Sequence, residues 1–190
     1  MTRVAGLVLT GGTSRRLGVD KATLVLGGET LAVRAARLLA GRCDRVLEVG
    51  PGVSGLPAVR ESPAGAGPLA ALVAGANALA GDGAVESVVV LACDLPWVEP
   101  VLDALVAAPL VGAVIPVDEH GRRQYVCARY GPTALVRATA LIAAGERSLH
   151  AMVEALPPET VRDVEGFSAG VFADIDLPED ARQAGIDLHQ

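Results

Sequence analysis

Residues 9–21 read Leu-Thr-Gly-Gly-Thr-Ser-Arg-Arg-Leu-Gly-Val-Asp-Lys and place three glycines among three cations, Arg15, Arg16 and Lys21. Glycines let backbone amides converge on an anion without side-chain obstruction, and nearby cations neutralise it. A triphosphate needs both. The segment is not a Walker loop, because Gly18 is followed by Val19 and no Lys-Ser/Thr pair is present. It also lacks the G-x-G-x-x-G of dinucleotide sites. A purely structural turn is the alternative, which three cations within seven residues disfavour. Lys21 carries further information, because it is the only lysine among 16 basic residues. In so Arg-biased a chain a lone Lys suggests a place for a compact ammonium rather than a planar fork.

Asp94 follows the apolar run of residues 87–93. A carboxylate at the mouth of a buried strand is costly unless paired or metal-bound, and magnesium favours one or two carboxylates plus phosphate oxygens. Capping of the next helix is the competing role. Asp176 also follows an apolar segment and precedes Pro178, so metal binding and helix capping stand about level. The polar stretch 118–124 either faces a second substrate or forms an exposed hairpin. Arg147 either holds a substrate phosphate or is a solvated surface residue. His120, His150 and His189 form no cluster, and Ser14 lacks the G-x-S-x-G frame of a hydrolase.

The elements that must hold these residues alternate between apolar runs and helical spacing. Strands are predicted at 4–10, 46–49, 87–93, 113–117, 125–130 and 171–175. Helices are predicted at 30–42, 68–80, 98–107, 133–144 and 149–156, with a short one from Pro178. Pro68 suits a first helical turn, where no amide donor is needed. The run 87–93 should be a central parallel strand buried on both faces. This alternation predicts a three-layer α/β domain, Rossmann-like, with a mostly parallel sheet, and a length of 190 residues predicts one domain over 1–190. In such sheets ligands bind beyond the carboxyl ends of the strands, which puts the glycine loop and Asp94 on one edge.

Composition narrows the function. Apolar residues make up 51% of the chain but aromatics only 3%, and no apolar run approaches the roughly 18 residues of a membrane span. The first residues lack the form of a signal peptide, so a cytoplasmic protein is expected. Cys43, Cys93 and Cys127 are too far apart for a metal or redox motif and should be reduced thiols. A formal charge of −6 argues against nucleic acid as a partner.

The loop resembles the L-x-G-G-x-S-x-R-x-G-x-D-K signature of the molybdenum cofactor guanylyltransferase family, within the wider Rossmann-like nucleotidyltransferases. Gly11, Gly12, Ser14, Arg16, Gly18, Asp20 and Lys21 all fall in place. Gly67-Pro68-Leu69, Cys93-Asp94-Leu95-Pro96, Gly145-Glu146-Arg147-Ser148 and residues 174–180 agree in order, so the likeness covers nearly the whole chain. It implies that Leu9, Thr10, Gly11, Gly12 and Ser14 line a guanine nucleotide, with Glu61 as a further acceptor. Lys21 and Arg16 would act on its phosphates, and Asp94 would bind Mg2+ with help from Asp176. The chain has Thr10 where members usually have Ala, Glu61 where many have Asp, and Asp174-Ile175-Asp176-Leu177-Pro178 where Asn-x-Asn-Thr-Pro is usual. The implied reaction moves GMP from GTP to the phosphate of molybdopterin, the molybdenum cofactor, and releases pyrophosphate. Other cofactor-biosynthesis proteins or recipient molybdoenzymes are possible partners. Three alternatives remain open: CTP as donor, another phosphorylated acceptor, or a nucleotide-binding partner protein without turnover.

Overall fold

The computed structural model describes residues 3–11, 19–80, 85–109 and 111–186. Its centre is the strand β1 (Val4–Leu9), buried at every position. Alternate side chains of β1 enter opposite layers, Leu7 and Leu9 on one face and Val4 and Val8 on the other. β1 pairs in parallel with two strands, β4 (Arg45–Val49) and β6 (Ser87–Ala92). Between β1 and β4 come the short strands β2 (Val25–Leu26) and β3 (Glu29–Thr30), a hairpin of their own turned by Gly27 and Gly28. Both glycines have positive φ, 62° and 90°, as a two-residue hairpin turn requires.

The main sheet is completed by β5 (Ala58–Val59), β7 (Ala113–Asp118), β8 (Cys127–Tyr130) and β9 (Val161–Phe167), in the order β5-β4-β1-β6-β8-β7-β9. Residues 87–93 were expected to be a central parallel strand, and β6 is central but parallel to β1 alone. On its other side β8 runs antiparallel. Only residues 119–126 join β7 to β8, too few for a crossover, so β8 must turn back against β7 and carries that direction to β6.

Helices α1 (Leu31–Ala40) and α3 (Glu99–Ala107) cover one face, while α2 (Pro68–Ala80), α4 (Pro132–Ala143) and α5 (Leu149–Glu154) cover the other. α2 begins at Pro68 as expected and lies directly on β1. A Cβ at Gly75 would stand 2.6 Å from both Leu7 methyls, so only glycine permits that approach. The seating brings the start of α2 over the carboxyl end of β1.

The chain end departs from the sequence expectation. The strand predicted at 171–175 is instead a 3-10 turn, Ala169–Phe172, followed by irregular chain. Val171 and Phe172 pack under the sheet beside α1 and α3 rather than joining a ladder. The place beside β7 is taken by β9, whose exposed Arg162, Asp163 and Glu165 suit an edge. Ile175 packs with Leu24, Leu26, Leu31, Ala181 and Ile186 in a third small cluster, which joins the β2–β3 hairpin to the last helix, α6 (Pro178–Gln183).

Candidate functional site

The carboxyl edge of the sheet opens into a cavity of about 320 Å³, within the range of roughly 300–1,000 Å³ usual for small-molecule sites. Leu9, Thr10 and Gly11 enter it from the end of β1, Val49 from β4, and Cys93 and Asp94 from beyond β6. Glu61, Gly65, Gly67 and Pro68 supply a further wall, and Asp20, Lys21 and Ala22 another. These are most of the residues singled out from sequence. Gly12, Ser14 and Arg16, with Arg15, lie outside the described residues.

Lys21 starts a single 3-10 turn, Lys21–Thr23, held by the Asp20 carboxylate, which accepts from Ala22 N at 3.0 Å. The ammonium Nζ donates to Asp94 Oδ2 at 3.1 Å and also to Asp176 Oδ1. Asp176 is brought there by its neighbour, because Ile175 N donates to the Asp94 backbone carbonyl at 3.1 Å while its side chain is buried. The three side chains keep 18%, 24% and 38% exposure, so they are open to a solute.

The capping alternatives are answered by the same geometry. α3 has Val98 at its N-cap and no side-chain cap, so Asp94 does not cap it. α6 is capped by Asp180, whose Oδ2 accepts from Leu177 N at 2.7 Å and Asp176 N at 3.0 Å, leaving the Asp176 carboxylate facing Lys21. Two carboxylates sharing one cation fit a hard divalent ion that takes its other oxygens from phosphate and water. Among the described residues no group of three His, Cys, Asp or Glu could hold a metal ion.

Glu61 faces Gly11 across the cavity, with its Oε1 3.7 Å from where a Gly11 Cβ would stand. The same oxygen accepts from Gly65 N at 2.8 Å, which closes the loop before α2. Thr10 lines the cavity but its hydroxyl is anchored inward. Its hydroxyl donates to Glu48 Oε1 at 2.5 Å, and Glu48 is fully buried. Oε1 also accepts from Gly52 N at 2.7 Å and Val53 N at 3.1 Å, while Oε2 accepts from the Ser54 amide at 2.8 Å and hydroxyl at 2.5 Å. Burial pushes this carboxyl up, but the Ser54 and Thr10 hydroxyls and the Ser54 and Val53 amides outweigh it and hold the pKa at about 2. Sequence reasoning missed Glu48, although a carboxylate inside Val46-Leu47-Glu48-Val49 is a signal that could have found it.

The stretch 118–124 is a turn at the same edge of the sheet. The buried Asp118 carboxylate accepts from His120 N and Arg122 N, both at 2.9 Å, and the Arg122 amide leads the bonds that hold it below its usual range. Glu119 accepts from Ala169 N at 3.0 Å, tying the turn to the segment that leads to Asp176. Arg147 is exposed beside α5, and its carbonyl accepts from Leu69 N at 3.4 Å.

A family model described as the MobA-like NTP transferase domain matches residues 6–161, from β1 to the first residue of β9. The chain belongs to that family. It is therefore a nucleotidyltransferase, and its matched region includes Lys21, Glu61 and Asp94 while Asp176 lies beyond it. A probable molybdenum cofactor guanylyltransferase of Mycobacterium marinum is 37% identical, covering 94% of this chain and 94% of that protein. One of Mycobacterium avium is 34% identical, with 92% and 93% covered. The fold is shared with the molybdopterin-guanine dinucleotide biosynthesis protein A of Archaeoglobus fulgidus, at a TM-score of 0.72 and 24% identity over 95% of this chain and 96% of that one.

Proposed function

We propose that this protein transfers GMP from GTP to the phosphate of molybdopterin, forming a guanine dinucleotide cofactor and pyrophosphate. The observation that carries the reading is that Lys21 and Asp94 line a nucleotide-sized cavity, with Asp176 bonded to the same ammonium. The guanine choice rests on the guanylyltransferase names of relatives 34% and 37% identical over nearly the whole chain.

In this reading the nucleoside lies against Leu9, Thr10 and Gly11, with Glu61 accepting hydrogen bonds from it. Lys21 meets the phosphates. An oxygen of the acceptor phosphate attacks the α-phosphorus, and the bond from that phosphorus to the β-bridging oxygen breaks. The pair of electrons leaves with pyrophosphate, and no covalent enzyme intermediate forms. Such chemistry depends on alignment and charge neutralisation more than on a protein nucleophile. Asp94 and Asp176 would hold Mg2+, which when bound supplies positive charge to the phosphate oxygens.

Among the described residues no helix is long and apolar enough to cross a membrane. We assign the reaction to the cytoplasm, which the three free cysteines support. The test is pyrophosphate release by purified protein given GTP, molybdopterin and magnesium. Release should require all three, and release that ignores the acceptor would overturn the proposal.

A further inference from the structure

A second cavity, of about 480 Å³, adjoins the nucleotide cavity and shares Gly65, Gly67, Pro68 and Val126 with it. Its own wall carries Tyr125, Arg147 and His150. The Tyr125 and His150 rings meet edge to face, with centroids 5.3 Å apart and planes at 72°. They form a corner in which a flat ring laid on one face meets the edge of the other, an arrangement favoured by the ring quadrupoles. Arg147 adds a cation beside it.

The sheet order places this corner relative to the reaction. Leu9 to Gly11 extend β1, Asp94 lies beyond β6, and Tyr125 and Val126 precede β8, with β6 between β1 and β8. The Ala92 amide donates to Val126 O at 2.8 Å, so β6 and the approach to β8 are bonded next to Asp94. Asp94 therefore stands between the nucleotide strand and the aromatic corner. The wall between the cavities is also closely packed, because a Cβ on Gly67 would stand 3.2 Å from Arg147 O.

We infer that Tyr125 and His150 are acceptor-positioning residues that stack the heteroaromatic ring of the acceptor, with Arg147 beside its anionic groups. This rests on the GMP-transfer reading above and adds where its second substrate lies. A nucleotide over β1 and an acceptor over β8 then meet at the same carboxylate, which holds the two reacting phosphates close together. Neither ring touches the reacting atoms.

The inference is tested with Tyr125→Leu, Tyr125→Phe and His150→Leu. With the stacking face removed, Tyr125→Leu should raise the KM for molybdopterin roughly tenfold. The Kd for GTP without acceptor should stay within about twofold, and Tyr125→Phe should keep most of the wild-type KM. His150 is exposed, so His150→Leu should fold normally and raise the same KM. An unchanged acceptor KM in both leucine variants, or a parallel loss of GTP affinity, overturns the inference. If the wild type transfers no GMP, the reading above fails instead. Quenching of neopterin fluorescence then tests the corner directly. Binding by wild type that Tyr125→Leu and His150→Leu both weaken supports it, and wild-type binding that is absent or unaffected by them refutes it.

Discussion

Replacing Glu48 by Gln keeps the shape of a buried side chain and removes its charge. In the wild type five donors point at the carboxylate: the Thr10 and Ser54 hydroxyls and the amides of Gly52, Val53 and Ser54. A glutamine must turn its NH2 toward the Ser54 amide or toward those of Gly52 and Val53, where donor faces donor. A buried donor left unmet costs about 1–3 kcal/mol. The pKa leads to a similar figure, since displacement from 4.5 to about 2 corresponds to roughly 3 kcal/mol of stability at neutral pH. Because the folded-state value is depressed, that contribution is full above the unfolded value and fades as pH falls toward about 2. Glu48→Gln should thus lower the unfolding midpoint by roughly 6–12 °C at neutral pH. The gap should narrow to less than half by about pH 3, where wild type itself has lost roughly 2 kcal/mol. Thermal unfolding followed by circular dichroism across that pH range is the assay. A gap below 1 °C at neutral pH, or one that does not change with pH, refutes the reasoning.

Lys21→Arg should fold with an unchanged unfolding midpoint and lose most turnover, because a guanidinium does not fit between Asp94 and Asp176 as an ammonium does; near-normal kcat/KM would remove Lys21 from the phosphate site. Asp94→Asn should abolish magnesium-dependent turnover while folding survives, and wild-type activity at limiting magnesium would contradict its metal role. Asp176→Ala should raise the magnesium requirement and leave metal-free GTP binding nearly intact, whereas equal losses with and without magnesium would count against a metal role. Glu61→Ala should weaken GTP binding roughly tenfold to a hundredfold, the equivalent of one charge-assisted hydrogen bond, and unchanged affinity in a GTP titration would take Glu61 out of the pocket.

Local signals in the sequence located most of the frame. The continuous apolar runs of β1 and β6 and the Pro68 start of α2 follow from short-range pattern and backbone chemistry, and the strand ends then put Leu9, Thr10, Gly11 and Asp94 on one edge. β9 was not legible, because Val161, Val164 and Phe167 recur every third residue and leave a strand without alternation. The apolar Val171, Phe172 and Ile175 imitate a strand, yet the first two pack under the sheet and Ile175 in the third cluster, which together pin the approach to Asp176. The meeting of Lys21 with Asp176, 155 residues apart, depends on that pinning and on α6 being capped by Asp180. The Thr10–Glu48 bond is likewise a product of β1–β4 pairing rather than of either segment alone.

The central claim is most directly tested by the mass of the product formed when purified protein, magnesium and molybdopterin are given equal GTP and CTP together. The account predicts molybdopterin guanine dinucleotide and pyrophosphate in equal amounts, with little cytosine dinucleotide. A cytosine dinucleotide as the main product, or nucleotide left intact with both substrates bound, would contradict it.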